Sequence, residues 1–96
     1  MLVLRVLQTT PLHGYAIAQR IHQISKEALQ VEEGSLYPAL QRILVKGWAN
    51  AEWGTSETGR RVRFYRLTPA GKKQLTTELD AYSRTTEAIQ SVLKLA

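Results

Sequence analysis

Apolar residues at helical spacing mark the first two helices of the chain. The first helix carries Leu2, Val3, Val6 and Leu7. We expect it to end before Pro11, because the residue that precedes a proline disfavours the helical backbone. After a turn at 12–14, a second helix of about three turns follows. Its predicted buried face consists of Ile17, Ile21 and Ile24.

The segment 34–44 predicts a third helix that has one apolar face and one polar face. Ser35 is the expected N-cap, and Pro38 is expected in the first turn, where a missing N–H costs little. Gly47 supplies the stop signal at the end of this helix. The inner stripe, at the spacing of a buried helix face, consists of Leu36, Leu40, Ile43 and Leu44.

A hairpin and a long helix complete the predicted elements. Residues 48–53 suit a short strand, 54–59 a turn-rich loop, and 60–67 a second strand. Thr68 and Pro69 predict an N-cap followed by the first position of a final helix. Two tryptophans, Trp48 and Trp53, lie at the base of the hairpin. We expect both in the core, with stacking against a ligand as the alternative.

The final helix carries an apolar stripe that the rest of the chain is too small to cover. The spacing of this stripe alternates between four and three residues, which is typical of a seam between two helices. A second copy of the chain would cover it best, so we expect a homodimer. Tyr82 in this seam could also meet a flat aromatic effector. The members of the stripe are Leu75, Leu79, Tyr82, Thr86, Ile89 and Leu93.

Composition limits the class of protein. Ninety-six residues with 44% hydrophobic content are enough for one compact domain with a modest core, which often gains stability by dimerising. The chain has no cysteine, which excludes disulfides and thiolate metal sites and is typical of a reducing cytoplasm. The apolar start is too short to span a bilayer and lacks the basic flank of a signal peptide. We therefore expect a cytoplasmic protein that has no contact with a membrane, no metal and no cofactor.

Positive charge is concentrated in one stretch. The formal net charge is +5, and residues 60–73 contain six basic residues and no acidic one. Glu27, Glu32 and Glu33 gather instead before the third helix. The placement of positive charge is a better guide to a polyanionic partner than its total, and here the charge is polarised.

The polar face of the third helix can read double-stranded DNA. Gln41 can pair with adenine and Arg42 with guanine, while Ser35 and Tyr37 can reach phosphates or base edges. The alternative is that this face is simply solvated. Tyr37 could equally pack over the preceding helix.

The hairpin adds a basic surface next to that helix. Gly59 can adopt a positive φ at the tip, so Arg60, Arg61 and Arg63 can extend along a phosphate ridge or into the minor groove. Strand alternation predicts that Arg61 and Arg63 share one face. The alternative is a charged edge strand that discourages aggregation.

Catalysis finds little support in this sequence. The two histidines, His13 and His22, are not accompanied by a nucleophile motif, a glycine-rich phosphate loop or a metal-ligand spacing. We expect no catalytic residue and no enzyme activity. Two other classes of protein stay open at this point. The first is a winged helix that binds only an acidic protein partner, and the second is an enzyme that acts on a small molecule.

Four motifs closely resemble the PadR family of bacterial transcriptional regulators. They are Leu12 to Ala18, Glu33 to Leu40, Gly59 to Arg61, and Tyr65 to Gly71, and together they extend over most of the chain. The single C-terminal helix, which contains no tryptophan, resembles the small subgroup of the family.

This resemblance implies a dimeric winged helix-turn-helix repressor. It implies that Tyr15, Ser35, Tyr37 and Pro38 belong to the DNA-reading head and that the last helix, with help from Leu4 in the first, makes the dimer. It also implies control by phenolic acids, drugs or other small molecules.

The sequence thus predicts a fold that is mainly α with a small β-hairpin. We expect a winged helix-turn-helix DNA-binding domain over 1–68 and a dimerisation helix over 69–96. The expected function is sequence-specific binding of a palindromic operator as a homodimer, with release by a small aromatic effector. The residues expected to contact DNA are Tyr15, Ser35, Tyr37, Pro38, Gln41, Arg42, Lys46, Arg60, Arg61 and Arg63. The residues expected in the dimer interface are Leu4, Leu75, Leu79, Tyr82, Ile89 and Leu93.

Overall fold

Four helices and a small sheet make up the chain in a computed structural model that describes residues 1–95. The fold is mainly helical, as predicted. The sheet is antiparallel and has three strands in the order β1, β3, β2. In chain order the elements are α1 Leu2–Leu7, β1 Leu12–His13, α2 Gly14–Ile24, α3 Glu33–Val45, β2 Ala49–Thr55, β3 Arg61–Leu67 and α4 Pro69–Leu93.

The first strand was not expected from the sequence. Its two residues pair with β3, Leu12 opposite Tyr65 and His13 opposite Phe64. Two residues have no strand pattern of their own, and it is the pairing with β3 that makes them a strand. The predicted turn at 12–14 is therefore a short strand that leads directly into α2.

The hairpin register decides which side chains share a face. Ala49 pairs with Leu67, Ala51 with Tyr65 and Trp53 with Arg63. Because side chains alternate along a strand, all of these lie on one face of the sheet, together with Arg61. Near the helices this face is buried, and towards the hairpin tip it is exposed.

Helices and sheet enclose a single core. Its buried members are Leu4, Val6, Leu7, Ile17, Ile21, Leu36, Leu40, Ile43, Ala49, Tyr65, Leu67 and Leu75. Two predictions are wrong here. Ile24 is 61% exposed and is not part of the buried face of α2. Leu4 and Leu75, expected in the dimer interface, are 2% and 1% exposed, so they pack inside their own chain and offer no surface to a partner.

Helix α3 begins three residues earlier than the predicted cap at Ser35 implied. Glu32 is the N-cap, without a side-chain hydrogen bond, and Ser35 is the third residue of the helix rather than its cap. Pro38 is therefore the sixth residue and lies beyond the first turn. Its ring nitrogen cannot donate to the carbonyl of Gly34, but Gly34 is exposed, so water can supply that hydrogen bond. Gly47, at φ 75°, follows the helix as predicted.

The start of α4 is fixed to the turn that follows α3. Thr68 caps the helix as predicted, since its hydroxyl accepts a hydrogen bond from the N–H of Gly71 at 3.0 Å. The same hydroxyl donates to the carbonyl of Gly47 at 2.7 Å, and the N–H of Thr68 donates to the carbonyl of Trp48 at 3.0 Å. These contacts set the direction in which α4 leaves the core.

Most of α4 has no cover from its own chain. The helix has 25 residues, or about 37 Å at 1.5 Å per residue, but only Gly71 and Leu75 in its first two turns are buried. The remaining apolar members of the predicted stripe are exposed by 39% at Leu79, 58% at Tyr82, 53% at Ile89 and 76% at Leu93. Ala96, the last residue of the predicted segment 69–96, lies outside the described residues.

Candidate nucleic-acid interface

The outer face of α3 presents the polar side chains that the sequence indicated. The helix is held by Leu36, Leu40 and Ile43, which are buried against the core, and this fixes the opposite face towards solvent. The predicted DNA-contacting residues on and after α3 are all exposed: Ser35, Tyr37, Pro38, Gln41, Arg42 and Lys46. The ammonium of Lys46 lies 5.8 Å from the centre of the Trp48 ring.

Tyr37 joins the starts of α2 and α3. A Cβ placed on Gly14 would lie 3.1 Å from both Cε1 and Oη of Tyr37, so the phenol ring packs directly over this glycine. Tyr37 is nevertheless 49% exposed, and the two uses considered from the sequence, packing and contact with DNA, are compatible. Tyr15, which follows Gly14, is 66% exposed. The structure thus brings two tyrosines to one surface at the start of the helix-turn-helix.

A tight loop places Arg60 at the tip of the hairpin. Ser56 and Arg60 exchange hydrogen bonds, since the N–H of Ser56 donates to the carbonyl of Arg60 at 2.8 Å and the N–H of Arg60 donates to Oγ of Ser56 at 3.2 Å. Gly59 has φ 82°, the conformation that the sequence predicted for it. The Arg60 side chain is exposed.

We call the hairpin of β2 and β3, residues 49–67, the wing. Arg61 and Arg63 lie together on one face of it, as alternation predicted. Both are exposed, and both approach the indole of Trp53 on the neighbouring strand: the guanidinium carbons lie 4.8 Å and 5.9 Å from the ring centre. Trp53 itself is 59% exposed. The expectation that this tryptophan belongs to the core is wrong, because it stands opposite the exposed Arg63, on the part of the strand face that lies beyond the buried Tyr65. Trp48 is partly buried against the core, as expected.

Sequence reasoning therefore missed Trp53 as a member of the basic surface. The alternation Ala49, Ala51, Trp53 was a signal in the sequence, since a much larger residue follows two alanines on the same face of the strand. It could not be interpreted without the hairpin register, which shows that this tryptophan stands opposite an arginine.

Both histidines make hydrogen bonds with the backbone of their own chain. His13 caps α2, because its Nδ1 accepts a hydrogen bond from the N–H of Ala16 at 3.4 Å, and its ring meets Phe64 edge to face at 5.6 Å. His22 donates from Nδ1 to the carbonyl of Leu29 at 3.0 Å. Within residues 1–95, no group of three His, Asp or Glu side chains is arranged to hold a metal ion.

The polar face of α3 and the wing are not joined by a direct polar contact among the described residues, since no hydrogen bond or ion pair links α3 to the arginines of the hairpin. Each surface is positioned by its own packing, α3 by the core and the wing by cross-strand pairing.

Residues 1–95 contain no helix that combines the length and the apolar character needed to cross a membrane.

Comparison with known proteins gives a consistent result. Residues 3–77 match the transcriptional regulator PadR-like family. The fold matches that of a transcriptional regulator from Clostridium thermocellum, with a TM-score of 0.88 and 28% identity over 97% of this chain and 90% of that one. It also matches a PadR family transcription regulator from Clostridium difficile, with a TM-score of 0.81 and 26% identity over 96% of this chain and 94% of that one.

A relative in Mycobacterium tuberculosis agrees with these matches. The transcriptional regulator Rv3488 is 36% identical over 66 residues, which are 69% of this chain and 58% of that protein. The matched family and its solved members are transcriptional regulators and not enzymes. The fold that this chain shares with them is a winged helix-turn-helix, which binds DNA. The chain therefore belongs to the PadR-like family of transcriptional regulators.

Proposed function

We propose that the protein is a homodimeric repressor that binds a palindromic operator. The observation that carries this proposal is the exposed polar face of α3, which the buried stripe of the same helix holds rigidly towards solvent. A rigid helix is the usual means of inserting hydrogen-bonding side chains into the major groove. A dimer that occupies its operator prevents other proteins from using the same DNA.

Base reading is assigned to the middle of the exposed face. Gln41 and Arg42 carry the two side-chain types that form paired hydrogen bonds with adenine and guanine. Ser35 and Tyr37 lie nearer the start of the helix, where N–H groups and positive dipole favour contact with phosphates. Tyr15, Pro38 and Lys46 flank this face and complete the reading head.

The wing is assigned to the sugar-phosphate backbone. Arg60, Arg61 and Arg63 are exposed, and the acidic Glu52 on the hairpin is paired instead with Arg66, at 3.7 Å. Phosphate contacts of this kind fix the position of a protein on DNA without reading sequence. They also make binding steeply dependent on salt.

Dimerisation is assigned to the exposed part of α4. Leu79, Tyr82, Ile89 and Leu93 form an apolar stripe without cover in the chain itself. Such stripes on soluble proteins mark interaction surfaces, and their a/d spacing fits a second helix of the same kind. We therefore divide the chain into a DNA-binding domain, 1–68, and a dimerisation helix, 69–96. Two recognition helices placed about 34 Å apart would meet a two-fold symmetric operator.

Release by a small aromatic effector is the last part of the proposal. An open cavity of about 340 Å³ lies between α1 and α2 and is lined mainly by apolar side chains, Leu2, Val6, Ile21, Ile24 and Leu29 among them. Its size is within the range of small-molecule sites. Tyr82 on α4 is a second apolar surface for a flat ligand. An effector that binds this cavity should lose its effect on DNA binding in Ile24→Asp, whereas an effector that binds at Tyr82 should keep its effect in that variant.

The reading head can be tested with an operator selected from a random DNA pool. The selected consensus should have two-fold symmetry. Tyr37→Ala and Arg42→Ala should each weaken binding of that operator by about 1 to 3 kcal/mol, measured by gel shift. Glu27→Ala, a change in the exposed loop before α3, serves as the control. Equal affinity of wild type and both variants would refute the assignment of α3.

A further inference from the structure

The wing carries an exposed tryptophan, Trp53, between two arginines. Trp53 is 59% exposed, although large aromatic side chains normally contribute most when they are buried. It stands on the same face of the sheet as Ala49 and Ala51, which reach the core. Its surroundings are cationic, since the side chains of Arg61 and Arg63 approach its ring.

Rings and guanidinium groups alternate along this face. Tyr65 is anchored in the core and is 6% exposed. The guanidinium carbon of Arg63 lies 5.9 Å from the Tyr65 ring and 5.9 Å from the Trp53 ring, and that of Arg61 lies 4.8 Å from the Trp53 ring. The contacts thus run from Tyr65 to Arg63, from Arg63 to Trp53 and from Trp53 to Arg61, with Arg63 and Trp53 side by side on neighbouring strands.

We propose that Trp53 is a positioning residue for DNA binding, which holds Arg61 and Arg63 extended along the wing before DNA arrives. This inference rests on the proposed role of the wing in phosphate binding. A guanidinium that lies on an aromatic ring keeps the N–H donors at its edge, so it can stack and still donate to a phosphate. Side chains that are ordered in advance lose less conformational freedom on binding, and this raises affinity.

The inference predicts a specific pattern of affinity and salt dependence for a random-sequence DNA duplex. Trp53→Ala should weaken binding by about fivefold per wing, because contacts of this kind are individually modest. The slope of log affinity against log salt should not change, since both arginines remain available. Arg61→Ala should instead reduce that slope by about 1 per wing.

Three variants separate positioning from other roles. Trp53→Phe should recover much of the affinity, because it restores an aromatic face, whereas Trp53→Leu should not, although it is also large and apolar. In a chain that carries both Arg61→Ala and Arg63→Ala, Trp53→Ala should have no further effect. If Trp53→Ala still lowers affinity by about fivefold per wing in that background, the indole touches DNA itself and the inference is overturned.

The failure of this inference can be told from failure of the proposed function. If Arg61→Ala and Arg63→Ala leave affinity for the duplex unchanged, the wing does not bind phosphates, and the wing assignment fails together with the positioning role, while the assignment of α3 is tested separately with the selected operator. If the arginine variants weaken binding and Trp53→Ala does not, only the positioning role is refuted. Thermal unfolding of Trp53→Leu and Trp53→Phe shows whether the hairpin remains folded, and equal melting temperatures with unequal affinities support the role of the aromatic ring.

Discussion

Replacing Gly71 with alanine should destabilise the protein more than any other glycine-to-alanine change in a helix. Gly71 is the third residue of α4, and a Cβ there would lie 2.0 Å from the carbonyl oxygen of Trp48 and 2.7 Å from Cδ1 of Leu67. Real Cβ atoms essentially never approach closer than 3.0 Å, so α4 must move by about 1 Å. The turn at Trp48 cannot yield independently, because Thr68 holds it with two hydrogen bonds.

The size of the effect follows from the contacts that such a movement disrupts. The N-cap of Thr68 contributes about 1 kcal/mol, and each of its hydrogen bonds to the turn about 1 kcal/mol. Alanine offsets part of this loss, since it favours a helix over glycine by up to about 1 kcal/mol. We expect Gly71→Ala to lower the free energy of unfolding by about 2 to 3 kcal/mol, within the range known for overpacked sites. For a domain of this size, the melting temperature should fall by roughly 10 to 20 °C.

Gly34→Ala is the matched control for this change. Gly34 is the second residue of α3, and a Cβ there would meet nothing within 4 Å. Its melting temperature should equal that of wild type or slightly exceed it. Both variants are unfolded by heat at the same protein concentration and followed by circular dichroism, because dimerisation makes the melting temperature depend on concentration. If the two variants melt at the same temperature, the docking of α4 on the turn is not as tight as the structure shows.

Two further changes test the positions of Tyr37 and of the α4 stripe. Gly14→Ala would place a Cβ 3.1 Å from the Tyr37 ring. The half-exposed ring can tilt away, so we expect stability within about 0.5 kcal/mol of wild type but weaker operator binding by gel shift; unchanged binding would show that the ring position is unimportant. Ile89→Lys should give monomers in sedimentation velocity, because it places like charges in an apolar seam, whereas Ser91→Lys, outside the stripe, should remain dimeric. A dimer in both variants would move the interface away from this stripe.

The sequence determined those features of the fold that depend on local chemistry. The cap at Thr68, the positive φ of Gly47 and Gly59, and the inward stripe of α3 all follow from the residues themselves and their immediate neighbours. The polar face of α3 follows as well, because helical periodicity decides which side chains oppose the buried ones. For this reason every side chain of α3 predicted to face DNA is exposed.

Other features could not be obtained from local patterns. The strand at Leu12 exists only because β3 lies beside it. The start of α3 at Glu33 overrides the preference of Ser35 for the cap position, since local propensity is a weak guide when packing extends a helix. Trp53 was misplaced because its surroundings depend on the hairpin register, which sets it opposite Arg63.

The difference is clearest along α4 and α1. Periodicity showed that Leu75, Leu79 and Ile89 share a face, but it did not show what covers that face. The tertiary structure decided it: Leu4 and Leu75 are enclosed by their own chain, whereas Leu79 and Ile89 lie beyond its edge. A repeat in the sequence fixes which side chains lie together on a helix, while the cover over each of them depends on where the remaining elements end in space.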